Sequence, residues 1–384
     1  MRPRILATVA LLSFTLALAG CKGFWDAPSS SGSGGTGTTT LTSGVFWVIN
    51  AETQQLISYY VNAGTLTTIA SYSVPSTPIA LTVAPNNEFL YVSTIGGIYV
   101  YTIASTGKLT LGNSSAPISS DPAQTMQVDA TNSWLIEAIS GAADAFAIPI
   151  DSSTGVPTSN TEQTRVLAGS TIQQLTISPD NSYVFVAMGA SGTAAIPFTP
   201  GNTNPFGTVQ TIALANTSGS ALSVAVDPTD RLLYIGETAA TSGSNSGGLR
   251  VFTFSNLKEI TGSPFATQGL APYAILPEAA GTYVYVANRQ ISGSTSGRIA
   301  GYTLSSSSGT YSLSALSSTF SAGTHTVGLA EDSTDAFVFA VNIDGSPDLN
   351  GYVFDTTTAG NLTKVIASTT GTDPVQATAV AAAH

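Results

Sequence analysis

The chain has 384 residues, of which only 9% are charged, with 11 Lys and Arg against 22 Asp and Glu and a formal net charge of -11. An acidic chain without any run of Lys or Arg lacks the clustered positive charge that nucleic acid and anionic lipid require, so nucleic acid is set aside as a partner. Cys21 is the only cysteine, which excludes a disulfide within the monomer.

In chain order, the first signal is Met1-Arg2-Pro3-Arg4, a short basic stretch, followed by an apolar run from Ile5 to Ala19. At about 15 residues this run is too short to span a bilayer and suits the core of a signal peptide. It ends in Leu18-Ala19-Gly20-Cys21, which resembles a bacterial lipobox. That resemblance implies a lipoprotein signal peptide over residues 1–20 and lipidation of Cys21, which would hold the protein to a membrane by buried acyl chains. Residues 21–43 read as the lipidated cysteine and a Gly/Ser/Thr tether, too polar and too simple to form a core. Such a coil reaches about 25 Å. Lys22 follows the cysteine where an Asp would indicate inner-membrane retention, so the outer membrane of a cell envelope is favoured.

From residue 44 to 384 the chain repeats. An aromatic, alternating strand recurs as VFWVIN at Val45, FLYVST at Phe89, WLIEAI at Trp134, YVFVAM at Tyr183, LLYIGE at Leu232, YVYVAN at Tyr283 and FVFAVN at Phe337, about 50 residues apart. Six copies are preceded by a short apolar strand and a polar turn, among them TVAPNN, TISPDN and AVDPTD, in which Pro fixes φ and Asp or Asn closes the turn on its own backbone. A third strand (IYVYTI, RVFTFS, GYVFDT) and a fourth (KLTLG, KEITG, YSLSA, NLTKVIAS) follow. Four strands per copy and seven copies predict an all-β, seven-bladed β-propeller. The first copy lacks its first strand, and PVQATAVAA near the C-terminus supplies it by matching PIALTVAP at Pro78. The predicted ring therefore closes by pairing of the C-terminal strand with the N-terminal blade, leaving no open sheet edge.

The phrases YVYVAN, the SPDN-aromatic step at 178–183, YTIASTGKLTLGN and FTFSNLKEITGSPFATQGLAPYAI resemble the lactonase-like, or YVTN-type, seven-bladed propellers. The resemblance covers nearly the whole of 44–384; the Trp-Asp ends of WD40 blades and the Gly-Gly pairs of kelch blades are missing. Members of that family that act on lactones are expected to place His, Arg and Glu at the channel mouth, because ring opening needs a base for water and a cation for the developing oxyanion. Here the family pattern points to His325 as the base, although Thr324 stands where the pattern has Arg. The equivalent positions of other copies hold Ala80, Thr125, Gln174, Ser223 and Tyr273, none a carboxylate or an imidazole. His384 is expected to be frayed.

Loops supply the remaining candidates, since scaffolded function concentrates there. The connections from second to third strand are long in the last three copies and carry Glu237, Arg250, Arg289, Arg298, Asp344 and Asp348. Of these, Arg250, Arg289, Arg298, Glu237 and Asp344 are the candidate ligand-binding residues. NIDGSPDLNG departs from EF-hand spacing and lacks the bidentate Glu, and no zinc spacing or phosphate-cradling loop occurs, so no metal site and no cofactor are expected. Two functions remain: a non-catalytic, monomeric envelope lipoprotein binding a protein, peptide or glycan, which the sequence favours, or a lactone hydrolase resembling 6-phosphogluconolactonase that acts on an extracytoplasmic lactone. Convergence of His325 with one of the arginines within about 4 Å would distinguish them.

Overall fold

A computed structural model describes residues 44–384 except Ser140, Asn160, Ser170 and residues 372–375. The signal segment, Cys21 and the tether lie outside the described residues. Seven four-stranded antiparallel blades are present. Each is built from the predicted order of an inner strand, an aromatic second strand, and two outer strands. Blade 2, for example, runs Pro78–Val83, Phe89–Thr94, Gly97–Ile103 and Leu109–Leu111. The second strands are buried on both faces because each is sandwiched between neighbouring blades, and Phe89–Thr94 and Leu232–Glu237 are buried at every position. Seven apolar clusters fill the seven seams between blades.

The ring closes as expected. Val45–Asn50 pairs antiparallel with Ala377–Ala382, Phe46 opposite Ala382 and Val48 opposite Val380. Phe46 then stacks on Phe339 of blade 7, with centroids 3.8 Å apart, so the seam between the chain's two ends is packed like the others. The turns after the inner strands are capped by carboxylates. Asp129 accepts from the backbone of Ser133 and Trp134, and Asp332 accepts in the same way from Ala336 and Phe337.

One feature departs from the expected four separate strands per copy. Blades 6 and 7 share a single strand, Thr310–Glu331, whose first part is the outer edge of blade 6 and whose last part is the inner strand of blade 7. No Gly-Pro turn interrupts this stretch. The chain changes blades at Thr324, which pairs both with Ser296 of blade 6 and with Asp344 of blade 7. His325 follows that point with φ of 52°, at the start of the portion that forms the inner strand of blade 7.

The recurrent Asn that ends several second strands has a structural task. Asn288 donates to the carbonyl of Thr267 at 2.7 Å and accepts from its hydroxyl at 2.7 Å, while Asn342 accepts from the amide of Gly323 and the hydroxyl of Thr326. Both amides lie against a glycine of the strand crossing, and a Cβ on Gly269 or Gly323 would stand 2.4 or 2.3 Å from them. The Asn therefore anchors the crossing segments into blades 6 and 7, and Gly is required where the two meet.

Candidate functional site

The inner strands leave a central channel that opens into a funnel of about 490 Å³. Its walls come from the starts of the inner strands and from residues at or just past the ends of second strands, Ile343 and Arg289. The funnel thus lies on the end that carries the crossings and the long loops. Several polar residues at its rim are engaged in holding the ring together. The Thr125 hydroxyl accepts from the Leu175 amide (3.1 Å), the Gln174 side chain accepts from the Val224 amide (3.0 Å), and the Ser223 hydroxyl donates to the Pro272 carbonyl (2.8 Å). Each of these bonds ties one inner strand to the next. This explains the residue types at the equivalent positions without recourse to catalysis. Gln124 and Gln173 are left to present amides to the funnel, beside Tyr273 and Arg289.

Among the described residues, Arg289 is the one Lys or Arg in the funnel wall. Its guanidinium lies over the Tyr273 ring at 5.3 Å and reaches the Tyr273 hydroxyl at 3.5 Å. Stacking on an aromatic face fixes the cation while leaving most of its donors available. Among the described residues, no carboxylate or histidine lines the funnel.

His325 stands apart from the wall. Its Nδ1 hydrogen-bonds the carboxyl of Asp344, and its backbone amide donates to the Thr295 carbonyl at 3.0 Å. Thr295 in turn borders a shallow, open hollow together with Leu270, Gln290 and Ile291, next to Arg289 in the chain. The structure therefore joins His325 with Asp344, and no hydrogen bond joins His325 to Arg250, Arg289 or Arg298 among the described residues.

The other sequence candidates are dispersed. Arg298 donates to the Gln268 carbonyl at 3.2 Å on blade 6. Arg250 is buried in blade 5, where it forks onto Glu259 (3.0 and 2.7 Å), meets Glu237 at 3.0 Å and donates to the Ala213 carbonyl at 2.6 Å. Glu237 also accepts from the Ala215 amide at 2.9 Å. Burial raises the Glu237 carboxyl above its ordinary range, opposed by the Ala215 amide and Arg250. These residues form an internal ion-pair network. Asp348 is likewise buried and accepts from the amide and hydroxyl of Thr370. His384 is not frayed, because its backbone amide and carbonyl pair with the Asn87 side chain at 2.9 Å each.

Sequence reasoning passed over one further group. Glu137, in the second strand Trp134–Ile139 of blade 3, is fully buried, and neither carboxyl oxygen has a hydrogen-bond partner among the described residues. Asp121, from the crossing between blades 2 and 3, and Glu162, just before Gln163–Val166, bring carboxyl oxygens to within 4.8 Å of it and of each other. Burial, helped by those two charges, pushes the Glu137 carboxyl up to about 8. A signal was present in the repeat. The aligned residues of the other six second strands are Val48, Val92, Val186, Ile235, Val286 and Ala340, so Glu137 is the sole polar residue at that position of the repeat.

Comparison with curated proteins gives no match to this sequence. The family described as lactonase, 7-bladed beta-propeller, matches residues 38–382. Among solved structures, a putative 6-phosphogluconolactonase from Bacteroides fragilis superposes with a TM-score of 0.69 at 13% identity, covering 90% of this chain and 99% of its own. One from Bacteroides uniformis gives 0.68 at 16% identity, with 88% and 98% covered. A periplasmic gluconolactonase from Pseudomonas aeruginosa gives 0.66 at 16% identity, with 86% and 97% covered. At these identities the superpositions speak for the fold, and the family match together with the seven closed blades makes the chain a member of the lactonase family of seven-bladed β-propellers.

Proposed function

We propose that the protein is an envelope lipoprotein, lipidated on Cys21, whose propeller is a non-catalytic binding module for an uncharged, hydroxyl-bearing ligand such as the end of a glycan. The observation that carries this reading is the funnel's chemistry. Gln124, Gln173, Tyr273 and Arg289 provide donors and acceptors among apolar neighbours, with no carboxylate or imidazole among the described residues to take a proton from water. Neutral amides and a stacked guanidinium suit hydroxyl groups, and a single cation is too little for a phosphorylated sugar acid. The test is a panel of neutral glycans titrated into the purified protein, with Arg289→Ala and Gln173→Ala as partners. Saturable binding lost in both variants supports the module; no binding across the panel removes a glycan as ligand. Anchoring is checked separately: Cys21→Ser should move the protein from the membrane fraction to the soluble one.

A second reading, a lactone hydrolase, draws support from the His325–Asp344 pair beside Thr295. With the hydrogen bond at Nδ1, Nε2 is the ring nitrogen available to a reacting proton, as in other histidine bases oriented by a carboxyl. Turnover of a small lactone that disappears in His325→Ala would establish this reading in place of the first.

A further inference from the structure

We propose that Asp121, Glu137 and Glu162 form a binding site for a hard divalent cation, of the calcium or manganese class, in the seam between blades 2 and 3. Three observations converge on it. The first is position. Glu137 lies two residues from Leu135 and on the same face of the strand, and Leu135 belongs to the apolar cluster of that seam, so the Glu137 carboxyl points into the contact between the two blades. The second is satisfaction. A fully buried carboxyl costs heavily unless it is hydrogen-bonded or ligates an ion, and both Glu137 oxygens lack any partner. The third is the repeat. Six of seven copies fill this place with Val, Ile or Ala and fold into the same blade, so the architecture does not require an acid there.

The donor set fixes the class of ion. All three ligands are carboxylate oxygens, which select calcium, magnesium or manganese over zinc or copper. Calcium–oxygen distances of about 2.4 Å place two ligating oxygens at most about 4.8 Å apart on opposite sides of the ion. The three oxygens lie within 4.8 Å of one another. Because both Glu162 and Asp121 approach the same buried carboxyl from separate segments, an ion there would tie the blade 2–3 crossing and the edge of blade 3 to the blade's interior. Burial and like charge also favour protonation of Glu137, so ion and proton compete for it and binding should release a proton near neutral pH.

The experiment uses the purified protein stripped with chelator, titrated calorimetrically with calcium chloride and then manganese chloride at pH 7.5 in two buffers of different ionisation enthalpy. Thermal unfolding is followed in parallel. Expected are one ion per chain, a buffer-dependent heat that reports proton release, and a rise in melting temperature. Glu137→Val restores the residue type of the other blades, so it should fold, and it should show neither the heat nor the rise. Glu331→Gln, a change at a carboxylate of another blade, should leave binding intact. Absence of binding of either ion at millimolar concentration, or binding unchanged in Glu137→Val, would overturn the site and leave a cluster that is neutralised by protons alone.

Discussion

Blades 3 and 5 each bury a glutamate in the second strand, and they treat it in opposite ways. In blade 5, Glu237 occupies the terminal position that Asn holds in LLYIGE's sister strands YVYVAN and FVFAVN, and it keeps the Asn's task by accepting from the crossing segment at Ala215. Its charge is met by Arg250, which is itself tied to Glu259 and to the Ala213 carbonyl. In blade 3, Glu137 replaces a valine-type core residue, and no protein donor meets it. The first glutamate belongs to a completed internal network; the second is an unmet demand. Glu331 of blade 7 falls between them. One of its oxygens accepts from the Ala279 amide of blade 6, the other has no partner, and burial pushes its carboxyl up to about 8.

The largest effect should come from breaking the completed network. Arg250→Ala leaves Glu237 buried and uncompensated, and removing one partner of a buried pair costs about 3–5 kcal/mol. Urea unfolding should show that loss. The triple change that also makes Glu237 and Glu259 into Gln should recover much of it, since the orphaned charges are gone. If Arg250→Ala unfolds no more easily than the native protein, blade 5 is not the compensated case described here.

Next is the pH dependence of the chelated protein. Glu137 has a folded-state pKa raised from the ordinary 4.5 to about 8. Its protonated form is favoured by folding, so its contribution is present below about pH 4.5 and is lost as pH rises toward 8. Between pH 5 and pH 8 the native protein should lose on the order of 2–4 kcal/mol from this residue. Glu137→Val should flatten that slope, and saturating calcium should flatten it too by stabilising the carboxylate. A native slope that is already flat in chelator would mean that the blade 3 carboxyl is relieved by something other than a proton or an ion.

Glu331 provides a same-signed effect of similar size. Its raised pKa likewise places its stabilisation at low pH and its loss near 8, even with the Ala279 amide favouring the charged form. Glu331→Gln should therefore remove about 2–4 kcal/mol of the pH dependence. Calcium should not reproduce it, which distinguishes the two blades in one experiment.

The sequence made the blades legible because their determinants are local. Alternating aromatic strands, Pro/Asp turns and the orphan C-terminal strand each leave a mark on neighbouring residues, and ring closure follows from counting them. The merged strand of blades 6 and 7 was not legible, because the strand runs through the change of blades at Thr324 without a turn and nothing in AGTHTVGLAE marks that continuity. The polar residues were harder still. Arg250 and Glu237 look like loop charges in GETAATSGSNSGGLR, yet the register that places Ile235 opposite Arg250 runs both inward. Asp121, Glu137 and Glu162 are separated in sequence and meet only because blade 3 packs on blade 2. The substitution of Glu for Val in WLIEAI was visible, but only a repeat-by-repeat comparison of single core positions gives it meaning.

The smallest stability effects should fall at the funnel and the loops, and there function should separate from fold. Arg289 and His325 are both partly exposed and neither belongs to a seam cluster. Arg289→Ala and His325→Ala should each change unfolding free energy by no more than about 0.5 kcal/mol. His325 already occupies a left-handed backbone position, so Gly there should be neutral or slightly stabilising, which isolates the ring from the backbone. Against that quiet background the two sites give opposite readouts. A binding module loses its ligand with Arg289→Ala and keeps it with His325→Ala, because only Arg289 lines the funnel. A hydrolase loses turnover with His325→Ala, because its base is gone while the wall that positions the substrate is intact. The same pair of variants, measured for stability, binding and lactone turnover, therefore decides whether the charge-poor funnel or the His325–Asp344 pair beside it is the working end of this propeller.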